Sequence, residues 1–64
     1  MTDRETYVHT AALAGTLDYS EVRTSGDAVW AGNGYRERVE DASLTPDERR
    51  FAHEFLQNLD CDFG

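Results

Sequence analysis

Residues 45–59 constrain the fold more than any other stretch of the chain. Thr45-Pro46-Asp47-Glu48 carries the signature of a helix start. The threonine hydroxyl can accept from the backbone, the proline lacks an N–H that would be idle at the first helical position, and the glutamate can close a capping box. Asp47 and Glu48 also suit the positive end of a helix dipole. Beyond them Phe51, Ala52, Phe55, Leu56 and Leu59 recur at three- and four-residue spacing, which predicts one apolar stripe on a helix over 46–59. Such a stripe must be covered. In a chain of 64 residues the covering segments belong to the same single domain, with 60–64 left as a short C-terminal tail.

The stretch ahead of the helix reads as strand. Gly32-Asn33-Gly34 is a hairpin signal, because Asn-Gly favours the positive backbone angles of a tight turn. It joins Ala28–Ala31 to Tyr35–Glu40, where Tyr35, Glu37 and Val39 alternate with Arg36, Arg38 and Glu40 at period two. The first third is ambiguous. Thr2-Asp3-Arg4-Glu5 resembles a second capping box, opening a helix that Gly15 would close, whereas Thr6-Tyr7-Val8-His9-Thr10 is rich in strand formers. A weak echo between residues 11–15 and 28–32, each followed by Tyr-x-Glu, favours a second hairpin pairing 6–13 with 17–23. The expected class is therefore α+β: a small antiparallel sheet of one or two hairpins packed against the C-terminal amphipathic helix. The rival arrangement puts a helix over 3–14 in place of the first hairpin.

A chain this short buries only about 60% of its unfolded surface. Its large apolar side chains suffice for one thin core layer and leave none to enclose a drug-sized cavity. Catalytic patterns are missing too. His9 and His53 stand alone, and Cys61 is the only cysteine, so neither a zinc knuckle nor an internal disulfide can form. Cys61 lies between Asp60 and Asp62, no setting for an activated nucleophile. Glu40-Asp41 and Asp47-Glu48 are adjacent pairs, and adjacent residues do not face one another on a helix or strand. Asp60-x-Asp62 falls short of a calcium loop, and Gly32-x-Gly34 lacks the third glycine of a phosphate-binding turn. No catalytic residue, metal ligand or cofactor is expected, and the chain reads as a non-enzyme.

Charge is the strongest compositional fact. Thirteen acids face six bases for a net charge of -7, every base is arginine, and lysine and isoleucine are absent. One explanation is a halophilic-like composition, in which acidity serves solvation; the other is an acidic surface for a basic protein. Either way the field repels phosphates and anionic membranes. With no basic-then-apolar leader and no run of about 18 apolar residues, the expectation is a cytoplasmic protein without membrane contact.

The leading functional expectation is a small acidic protein-binding module, a regulator or a self-associating unit such as a homodimer. Trp30, Tyr35, Tyr19 and Phe63 are its interface candidates, since aromatic residues anchor interfaces. A second reading is a nucleic-acid-binding regulator that combines Arg36, Arg38, Arg49 and Arg50 with nearby aromatics. The structural alternative pairs those arginines with Glu37, Glu40 and Glu48. A third reading is an acidic mimic of nucleic acid that inhibits a DNA-binding protein.

Overall fold

Three helices and one 3₁₀ turn carry the chain from residue 3 to residue 63. The computed structural model describes residues 2–63, and among them no strand forms. Helix α1 spans Asp3–Ala14, α2 spans Ser25–Val39 and α3 spans Pro46–Phe63, with the 3₁₀ turn at Tyr19–Glu21 between the first two. The expected α+β sheet is thus overturned at both hairpins: 6–13 belongs to α1, and 28–39 is continuous helix. Residue 64 of the expected tail lies outside the described residues, while 60–63 extend α3 past Leu59.

Helix α1 begins with a capping box. The Thr2 hydroxyl accepts from the Glu5 N–H at 3.2 Å, and the Glu5 carboxylate accepts from the Thr2 N–H at 3.3 Å. It ends at Gly15, whose φ of 72° is the left-handed conformation that glycine adopts without strain. The Gly15 and Thr16 N–H groups then turn back onto the Ala12 and Ala11 carbonyls.

Helix α2 explains the failed hairpin. Thr24 caps it by accepting from the Asp27 N–H at 3.1 Å, and Ala28, Ala31, Gly32 and Tyr35 are buried at helical spacing. Gly34 within it serves close packing rather than a turn. A Cβ on Gly34 would sit 2.5 Å from the Ala12 Cβ and 2.9 Å from the His9 carbonyl oxygen, so only glycine lets α1 approach so near. Gly32, two positions away, faces Leu59 of α3 instead. The alternation of Tyr35, Glu37 and Val39 had suggested a strand, yet Tyr35 and Val39 are also one helical turn apart.

Helix α3 opens on the expected capping box: the Glu48 N–H donates to the Thr45 hydroxyl at 3.2 Å, and the Thr45 N–H donates to the Glu48 carboxylate at 2.9 Å. Helix α2 packs against both neighbours, which hardly touch each other. The core runs along α2 and is completed by Val8, Leu17, Val22, Ala52, Phe55 and Leu59. At its centre Tyr35 is fully buried with its ring 4.2 Å from that of Phe55, and its hydroxyl donates to the Leu17 carbonyl at 3.3 Å. The smallest dimension of the molecule is 16 Å, little more than one helix diameter of about 10–12 Å.

Candidate functional site

Helical geometry dismantles the arginine platform. Residues two apart on a helix point to nearly opposite sides, so α2 separates Arg36 from Arg38. Arg38 turns inward: it covers Gly15, donates to the Leu13 carbonyl at 3.0 Å at the end of α1, and pairs with Glu48 of α3 at 3.2 Å. Arg49 does the same for α2, donating to the Val39 carbonyl at 2.7 Å and the Asp41 carbonyl at 3.2 Å. Each guanidinium sits at the negative end of a helix that it does not belong to. Arg36 is exposed and bonds only Asn33, at 3.4 Å, and Arg50 pairs loosely with Asp47, at 3.7 Å. The four arginines therefore share no common surface.

The aromatic candidates also disperse. Tyr35 is entirely interior. Trp30 is half-buried and meets the edge of His9 across α1 and α2, ring centroids 5.6 Å apart, while His9 approaches Glu37 at 3.6 Å. Phe63 is exposed at the end of α3, where it flanks a shallow groove with Val29, Leu56, Arg36 and Asp60.

Tyr19 lines a different groove. Leu17 and Phe55 form its buried floor, Tyr19 and Phe51 rise at its sides, and Asp18, Glu54 and Asn58 complete the rim. The Tyr19 ring stands edge-on to Phe55 at 5.1 Å, and its hydroxyl donates to the Asn58 carbonyl at 3.0 Å and to the Asp62 carboxylate. The hydrogen bond to Asp62, then burial, then the charge of Asp62 push the Tyr19 phenol up to about 12. Phe51 was expected in the core stripe; instead 49% of it is exposed. Stripe periodicity finds the helix face but not where the covering segment ends, so Phe55 is covered and Phe51 is not.

A polar knot was also missed. Arg4 donates to both Asp27 oxygens at 3.4 Å and to the Glu21 carbonyl, while the Tyr7 hydroxyl donates to the Glu21 carboxylate at 3.0 Å. Burial raises the Asp27 carboxyl, but Arg4 and the Arg23 and Thr24 hydrogen bonds together outweigh it and hold the group below its ordinary value. The partners lie 23 residues apart, a separation that no local motif signals. Every member is engaged with another, so the knot fastens α1 to the start of α2.

Among the described residues no three His, Cys, Asp or Glu side chains converge as a metal site. The concavities are open at the surface rather than enclosed. Among the described residues no helix is long and apolar enough to cross a membrane. Comparison of the chain with protein-family models, curated proteins and solved structures finds no match.

Proposed function

We propose that this chain is a non-catalytic protein-binding module, a small acidic regulator that acts through its outer surface. The observation that carries this reading is the half-exposed Phe51 on an aromatic groove whose rim carries carboxylates and no base. Large apolar side chains left in water beside shaped grooves are the raw material of interfaces. A standard interface takes about 800 Å² from each partner. That is roughly a fifth of the 4162 Å² this chain exposes, so a partner covers a whole face. The exposed free thiol of Cys61 fits a reducing cytoplasm.

The test is affinity capture from host lysate with wild type and Phe51→Ser, followed by light scattering on the purified complex. A stoichiometric protein partner that wild type retains and the variant loses is the expected result. A chain that stays monomeric and recovers no protein at any salt concentration overturns the reading. So does turnover of a small molecule that one side-chain change abolishes.

A further inference from the structure

Resting on that reading, we infer that the groove between residues 17–19 and α3 docks a basic partner segment: an aliphatic or aromatic anchor flanked by arginine or lysine. Three features converge on this occupant. The floor of Leu17 and Phe55 is apolar and belongs to the buried core, so an inserted side chain meets carbon there. The ring of Phe51 offers its exposed face beside that floor, a surface for an apolar contact or for a cation stacked above it. Within its lining the charge has one sign, while on the other side of Phe51 the arginines Arg38 and Arg50 are each paired, with Glu48 and Asp47. Asp18 and Glu54 stand on the rim and Asp62 lies just beyond Tyr19. Residues 51–64 contain neither arginine nor lysine, and His53 is their one imidazole. None of the ion pairs among the described residues uses Asp18 or Glu54; Asp18 accepts from the Ser20 N–H at 3.1 Å, a neutral cap that leaves its charge to an incoming cation, as does Glu54.

A second copy of this chain is the poorer occupant. It carries the same charge of -7 and has no lysine. Three of its six arginines, Arg4, Arg38 and Arg49, are bound to its own carbonyls and carboxylates, and the exposed Arg23, Arg36 and Arg50 stand among thirteen acids. The groove beside Phe63 differs in kind, because Arg36 and Asp60 put both signs on its margin. One-signed charge around an apolar floor is what selects a basic segment.

The test is fluorescence anisotropy with labelled synthetic peptides: a Leu-Phe pair flanked by arginines, the same peptide with glutamates for the arginines, and the same with serines for Leu-Phe. Amide chemical-shift mapping on the full-length chain locates the site. The arginine peptide is expected to bind and to shift the amides of Leu17, Tyr19, Phe51 and Glu54, while the glutamate peptide does not bind. The serine peptide, or Phe51→Ala with the arginine peptide, should bind about tenfold more weakly. Asp18→Asn with Glu54→Gln should weaken binding severalfold at low salt and less at high salt. Asp3→Asn with Glu40→Gln removes equal charge elsewhere and should leave affinity within about twofold. Circular dichroism checks the fold of each variant, and the shift map on wild type decides the site if Phe51→Ala does not fold. Equal weakening by the distant charge pair, tight binding of the glutamate peptide, shifts centred on Val29 and Phe63, or no binding at all overturns the inference. A captured partner that is not basic, or that seats on Val29 and Phe63, removes this inference and leaves the protein-binding reading standing.

Discussion

Gly32 and Gly34 show how much one hydrogen atom in place of a methyl can decide. A methyl on Gly34 would overlap Ala12 and the backbone of α1, so Gly34→Ala should destabilise the fold by about 1–3 kcal/mol through overpacking. A methyl on Gly32 would meet Leu59 at 3.7 Å, ordinary contact, so Gly32→Ala should be neutral or gain up to about 1 kcal/mol from helix propensity. Urea unfolding of the two variants measures both, and opposite signs are the expected result. At the same scale, Tyr19 should titrate near pH 12 in a phenol absorbance titration, and Asp62→Asn should bring it back toward 10. The folded-state pKa is raised, so this hydrogen bond contributes its full stabilisation below the ordinary phenol pKa and loses it as pH rises through 12. The loss of stability between pH 10 and 12 should therefore be shallower in Asp62→Asn, which starts from the lower stability, than in wild type.

Helix ends were the most legible elements, because a cap is a local contract between residues three apart. Thr45 with Glu48 opens α3 as expected, whereas Thr2 with Glu5 and Gly15 bound α1 as in the rival arrangement rather than the favoured hairpin. The middle of the chain reads as strand because a Gly-Asn-Gly run and a short alternation imitate a hairpin. The competing signal was present: Ala28, Ala31, Gly32, Tyr35 and Val39 recur at helical spacing behind the cap Thr24. The echo of 11–15 in 28–32 has no structural counterpart: Ala12 is buried where Val29 is exposed, and Ala31 is buried where Ala14 is exposed. The site was less legible. Sequence flagged Tyr19 and Phe63, but no periodicity tells which end of an apolar stripe is left uncovered. Arginines that finish other helices cannot be recognised before the helices are placed. Arg38 touches α1, α2 and α3 together, so Arg38→Met should cost about 1–2 kcal/mol. Arg50→Met, which removes only an exposed pair, should stay within about 0.5 kcal/mol. Thermal melts of both variants check the contrast.

For the whole molecule, repulsion among thirteen acids opposes a core only one layer deep. Added sodium chloride should raise the melting temperature at pH 7 and do little near pH 4.5, where the net charge vanishes. Further acidification works against the fold. Hydrogen bonds from Thr2, Ser43 and Thr45 hold Glu5, Asp41 and Glu48 below their ordinary values, and for Asp27 the Arg4 clamp overcomes burial. Lowered carboxyl values mean stabilisation that is complete above the unfolded pKa and is lost as pH falls through the folded one. Melting temperature should accordingly drop below about pH 4, and Asp27→Asn should flatten that drop. The single indole of the chain, on Trp30, leans on His9 at the α1–α2 contact, whereas the phenol of Tyr19 is tied to the far end of α3. Emission from the one, and the difference in near-ultraviolet absorbance between wild type and Tyr19→Phe for the other, are thus separate reporters built into opposite flanks. Recorded side by side during a melt, they reveal whether the three rods part in a single step or one peels away first.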